Sequence, residues 1–130
     1  MAKLAPIAKT VFLCDELVRD DEKNKTSVLN MFDTVRPDEA SPLQLGRLCV
    51  FSELSDGFGD LLFWIEAVRL DTLAPVFRTV PRTFRFADRL ANVQILFRLE
   101  DLRFPKIGDY LIRLYCEKEM VGDRVLHLRP

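Results

Sequence analysis

Apolar and polar residues alternate with a period close to two along nearly the whole chain. The clearest stretch is 92–100, where Val93, Ile95, Phe97 and Leu99 alternate with Asn92, Gln94, Arg98 and Glu100, and Leu96 alone breaks the rule. Wound as a helix, the same residues would be apolar all round, so the pattern predicts a strand. Tyr110, Ile112, Leu114 and Cys116 alternate in the same way with Arg113 and Glu117. Further strand-like runs occupy 10–19, 26–36, 43–54 and 61–70, with a shorter one over 76–86. They are rich in Val, Leu, Phe and Thr, and none carries a capped helical stripe. Polar or Gly/Pro-bearing links separate them: 20–25, 37–42, 55–60, 105–109 and Gly122-Asp123. Seven or eight short strands separated by such turns predict an all-β fold, a single antiparallel two-sheet β-sandwich. One domain spans 1–130, with residues 1–9 free to form a loose N-terminal arm.

The last hairpin allows a sharper reading. With Gly122-Asp123 as a two-residue turn, Leu126 and Leu128 would share a face with Glu117 and Glu119. A one-residue slip turns every side chain to the other face. A three-residue turn with a glycine bulge sets Leu128 opposite Cys116 and Leu126 opposite Lys118, and moves His127 outward beside Glu117.

Charge narrows the choice of partner. Nineteen Lys and Arg against twenty Asp and Glu give a net charge of −1, which argues against a dedicated nucleic-acid or membrane-surface binder. The balance shifts along the chain, from seven bases and eleven acids over 1–65 to twelve bases and nine acids over 66–130. Residues 2–8 are too short and too weakly apolar for a secretory signal, and Pro6 interrupts them. Apolar runs such as Leu61 to Ile65 are far shorter than a bilayer span requires. Cys14, Cys49 and Cys116 are odd in number, lack a CxxC spacing and each sit within apolar segments, so they read as reduced core thiols of a cytoplasmic protein.

Candidate chemistry is sparse. The one histidine, His127, has Cys116 as its only nearby cysteine, and the register above sets the two on opposite faces. Three scattered cysteines and one histidine do not make a zinc set. Asp56 and Asp60 share a glycine-rich loop that Asp20, Asp21 or Asp71 could join around calcium, but acids in turns ordinarily serve solubility and turn bonding. No cofactor is expected. Phe58, between Gly57 and Gly59, is either a partner anchor at a loop tip or a lid over the open end of the sandwich. Arg78, Arg82, Arg85 and Arg89 form the densest basic run, interleaved with Phe77, Phe84 and Phe86. Single-strand binders use such interleaving, but a sandwich buries the phenylalanines, and an anionic protein surface suits these arginines equally well.

Several segments carry a family resemblance. Cys14-Asp15-Glu16 ends the first apolar run, and Thr26-Ser27-Val28-Leu29-Asn30-Met31-Phe32-Asp33 follows a polar turn. Pro42-Leu43 opens the next run, and Phe104-Pro105-Lys106-Ile107-Gly108-Asp109-Tyr110 leads into Leu111 to Cys116. From about residue 10 to 128 the chain resembles a bacterial domain family of unknown function whose members look like small immunoglobulin- or C2-like β-sandwiches. Asn30 stands where a glycine is usual, and Asp109 lies between Gly108 and Tyr110; Asn and Asp both tolerate turn or bulge geometry. The resemblance implies a sandwich and a bacterial source, and it supplies no catalytic residue.

These readings converge on a non-enzymatic binding or assembly module acting by protein–protein contact, with self-association as one form. Phe58, Arg78, Arg82, Arg85 and Arg89 are the expected partner contacts. The alternative is a small-molecule or anion-binding sandwich that uses Trp64, Tyr110, Tyr115 and the arginines, although an indole and two phenols in strands of this kind ordinarily belong to the core.

Overall fold

The computed structural model describes residues 3–36 and 43–130, so the proline-flanked link over 37–42 lies outside the described residues. The chain is all-β. Among the described residues eleven strands run in the order β1 (Ile7–Cys14), β2 (Glu16–Asp20), β3 (Lys25–Leu29), β4 (Thr34–Val35), β5 (Leu43–Ser55), β6 (Gly59–Arg69), β7 (Pro75–Arg78), β8 (Arg82–Phe86), β9 (Val93–Phe104), β10 (Gly108–Cys116) and β11 (Glu119–Leu128). They form a three-stranded sheet β1-β5-β9, a six-stranded sheet β4-β11-β10-β6-β7 with β8 also on β6, and a separate β2-β3 hairpin. Among the described residues no helix is long and apolar enough to cross a membrane.

This corrects the expected seven or eight antiparallel strands in two sheets. Three of the expected runs break. Asp15 is exposed between β1 and β2, and Asn30, at φ 53°, ends β3. The run over 76–86 divides at Val80-Pro81 because β7 and β8 take successive lengths of β6, with Thr79 accepting the Ile65 N–H at 2.9 Å between them. The short β4 then pairs parallel to β11, Thr34 with His127 and Val35 with Leu128. At the other end, the segment expected as an arm enters β1 at Ile7, and Leu4 exchanges two backbone hydrogen bonds with Phe58, both 3.1 Å.

The two larger sheets face each other across one core. Leu48, Val50, Leu54, Ile95 and Phe97 come from one side, and Phe63, Ile65, Ile112, Leu114, Leu126 and Leu128 from the other. Phe63 stacks on Phe86 at 5.8 Å and meets Phe84 edge-on at 5.5 Å. Burying each such ring contributes roughly 1.5–3 kcal/mol. Tyr110 is also inside, and its hydroxyl donates to the Lys106 carbonyl at 2.6 Å, so its polar tip is satisfied.

The β10–β11 hairpin departs from its expected form. The turn is Glu117-Lys118, with Glu117 at φ 56° and Cys116 opposite Glu119. The register then shifts between Leu114 and Tyr115, which face Gly122 and Met120 and leave Val121 as the extra residue. Leu126 and Leu128 do point inward, but they oppose Tyr110 and Gly108, and His127 opposes Asp109 rather than Glu117. Gly122 is a strand residue because β1 packs over it: a Cβ there would lie 2.7 Å from Val11 Cγ2.

The β2-β3 hairpin lies on the outer side of the three-stranded sheet. Glu16 accepts from Arg47 at 2.7 Å and from Arg98 at 2.9 Å, and Thr26 Oγ1 donates to Gln94 at 2.8 Å. Cys14 and Cys49 are direct cross-strand partners, both buried, and the Cys49 thiol donates to the Asp15 carbonyl at 3.4 Å.

Candidate functional site

Strand alternation has a consequence for the six-stranded sheet. Residues that fill the core from β6, β10 and β11 leave their neighbours on the opposite, outer face. Trp64, Tyr115 and Met120 form one row across that face, Glu66, Arg113 and Asp123 the next, and Val68, Leu111 and Val125 a third. The row Asp109–His127–Thr34 closes it. Exposure varies across the face: Val68 is buried, Trp64, Leu111, Tyr115 and Val125 are half-buried, and Met120 and Asp123 are exposed.

Trp64 and Tyr115 stack almost parallel, with ring centroids 5.5 Å apart and 3° between planes. The Arg78 guanidinium sits 4.8 Å over the indole. Both rings are half-buried rather than in the core, and Leu62 and Met120 beside them are 39% and 48% exposed. Trp64 and Tyr115 thus differ from Tyr110, which the sequence grouped with them. The run Leu61 to Ile65 is apolar on both faces of the strand, so its pattern could not reveal that Leu62 and Trp64 stay outside the core. Two buried donors, Trp64 Nε1 and Arg113 Nε, have no acceptor among the described residues.

At the end of this face Asp109 accepts from His127 Nδ1 at 2.7 Å and from Arg129 at 2.8 Å. Those two hydrogen bonds hold its carboxyl below the usual carboxylate range. A cleft of about 340 Å³ adjoins it, lined by Arg69, Asp71, Lys106 and Asp109 among others. Arg69 is already bound to Asp71 at 2.8 Å. Two cations and two acids therefore line a mouth with no net preference for an anion. Cys116 lies at the far end of β10 from Asp109, roughly 20 Å away at strand rise, so it cannot meet His127 as a nucleophile.

The sequence-chosen contacts do not gather into one patch. Phe58 is half-buried and tied to Leu4. Arg78 caps Trp64 on the outer face. Arg82 turns the other way, lying 5.0 Å over Phe84 and 5.4 Å over Phe97 and donating to the Leu96 carbonyl of the opposite sheet at 2.9 Å. Arg85 is exposed, 3.7 Å from Asp60, and Arg89 is exposed in the loop after β8. The acids considered for calcium separate as well: Asp60 faces Arg85, Asp71 holds Arg69, and Asp20 accepts the Lys23 N–H.

The fold and this open face define a small all-β protein with a stacked Trp–Tyr–Arg surface. Residues 9–129 match the profile described as "Family of unknown function (DUF6941)", and the chain belongs to that family. No curated protein matches it. Among solved structures it is similar to a Pseudomonas fluorescens alkylpurine DNA glycosylase, AlkC, bound to DNA containing an abasic site analogue. The TM-score is 0.48 at 14% identity, over 75% of this chain and 28% of that one. The chain thus spans little more than a quarter of the length of the glycosylase chain.

Proposed function

We propose that this protein is a non-enzymatic binding and assembly module that engages a protein partner through the outer face of its six-stranded sheet. The carrying observation is the half-buried Trp64–Tyr115 stack under Arg78, flanked by exposed Leu62 and Met120. Trp, Tyr and Arg are the side chains that most often anchor protein interfaces, and two stiff rings present large area at little entropic cost. Glu66 and Asp123 flank Arg113 across the middle of the face, which interrupts the positive track that a nucleic-acid backbone requires. Three buried free thiols suit a reducing cytoplasm. The Tyr110–Lys106 hydrogen bond resembles the tyrosine corner of Greek-key sandwiches and supports an immunoglobulin-like lineage.

The test is native mass spectrometry in reducing, metal-free buffer over a roughly tenfold concentration range, with source-cell extract as a second sample. A protein complex lost in Trp64→Ser/Tyr115→Ser, whose melting temperature is retained, supports the proposal. A discrete small adduct on a monomer that forms no protein complex overturns it in favour of ligand binding at the cleft.

A further inference from the structure

The three-stranded sheet ends in β9, which pairs with β5 alone among the described strands. Its backbone groups alternate between the β5 ladder and the free edge. The Leu96 carbonyl accepts Arg82 Nη1 from across the sandwich, so even-numbered positions aim outward. Arg82 thereby closes the edge at Leu96, and Asp101, at φ 54°, bends the strand beyond Glu100. The segment between these limits is short, and Arg98 and Glu100 are exposed on it on either side of Leu99.

We propose that this edge is a self-pairing seam, in which two copies of the chain join β9 to β9 antiparallel about Leu99. Each Arg98 then opposes the partner's Glu100, and the two three-stranded sheets become one of six. Parity permits it, because Arg98 and Glu100 both direct their N–H and C=O groups at the seam and can form hydrogen-bonded pairs. Charge selects it, because opposite charges directly across a ladder attract and like charges repel. A two-fold axis through Arg98 or through Glu100 would set that charge against its own copy. Arg98 keeps Glu16 at 2.9 Å on one side of its guanidinium and has the remaining N–H groups for the seam. Long free edges are otherwise aggregation hazards, and here Arg82 and Asp101 confine pairing to one register. So short a contact makes a transient dimer.

This deepens the assembly reading and rests on it, though it uses a different surface. The test is sedimentation velocity over a roughly hundredfold concentration range with Glu100→Lys and Arg98→Glu, each first checked for an intact fold by circular dichroism and melting. Wild type dimerises reversibly, each variant alone associates about tenfold more weakly or worse, and their equimolar mixture recovers the dimer because both cross-strand pairs are again opposite in charge. Glu100→Pro, which removes an outward N–H and spares the β5 ladder, also abolishes the dimer and stands in should Arg98→Glu loosen the hairpin. A wild type that stays monomeric, a single variant that dimerises normally, or a mixture that stays monomeric overturns the seam. Association lost in Trp64→Ser but kept in Glu100→Pro also overturns it and leaves the aromatic face standing.

Discussion

Gly122 offers the most direct check on how the two sheets close. A glycine inside a strand ordinarily weakens it, so Gly→Ala is often favourable through the unfolded chain alone, by roughly 0.4–1 kcal/mol. Here the added Cβ would lie 2.7 Å from Val11 Cγ2 and 3.2 Å from Ala8 Cβ. Apolar carbons rest about 3.5–4.0 Å apart, so β1 has to retreat by nearly 1 Å. Val11 is 4% exposed and β-branched, so its χ1 is stiff and its methyl does not turn aside readily. Overpacking of this kind costs about 1–3 kcal/mol. Set against the unfolded-state gain, Gly122→Ala destabilises by about 1–2 kcal/mol. Urea unfolding followed by Trp64, the only tryptophan in the chain, measures it. The decisive comparison is a double-mutant cycle. Val11→Ala alone destabilises by opening a cavity, but in that background Gly122→Ala costs much less, because the 2.7 Å clash is gone and only the 3.2 Å approach to Ala8 remains. A Gly122→Ala variant more stable than wild type, or one whose cost is unchanged beside Val11→Ala, refutes the packing account.

Three further predictions follow from individual contacts. Tyr110→Phe removes the 2.6 Å hydrogen bond to the Lys106 carbonyl and lowers stability by about 1 kcal/mol, a drop of a few degrees in melting temperature; an unchanged melt means the corner is decorative. Leu73 holds φ 60° while 53% exposed, so Leu73→Gly relieves left-handed strain without losing burial and raises stability by up to about 1 kcal/mol in the same urea assay. Asp109 is held below its ordinary value of 3.8 by His127 and Arg129. Its contribution is present above the unfolded pKa and fades as pH falls through the folded one. Acid titration of stability below about pH 4 is therefore shallower in Asp109→Asn than in wild type, and identical slopes contradict the assignment.

Much of the fold was legible because period-two alternation reports directly on which face is buried. Val93 to Leu99 and Tyr110 to Cys116 were strands as read, and Leu126 and Leu128 faced inward as their pattern required. Punctuation was less legible. Asn24 and Asp56 turn left-handed inside the expected links 20–25 and 55–60, whereas Asn30, Leu73, Asp101 and Glu117 do so outside any expected link, where no glycine or proline marks the turn. Gly122 misled in the other direction, being small to admit Val11 rather than to turn the chain. The outer face escaped for a different reason. A partly exposed apolar face and a fully buried one give the same sequence, and only the arrangement of the layers distinguishes them. Arg78 and Arg82 are four residues apart, yet they lie on opposite sides of one sheet, so spacing alone could not separate them.

The β2-β3 hairpin carries a last implication. It is fastened over Cys14 and Cys49 mainly through side chains, with Glu16 gripped by Arg47 and Arg98, whereas Lys3 and Ala5 line the surface beside Cys116 at the other end of the molecule. Burial pushes the Cys14 thiol up to about 11 and the Cys116 thiol up to about 12, so neither is a ready nucleophile while its cover is shut. Each thiol is therefore a latent reporter of one local opening. Timed alkylation read by mass resolves hairpin release at Cys14 and Cys49 from release of the N-terminal segment at Cys116, giving the protein a built-in clock for motions that leave its core intact.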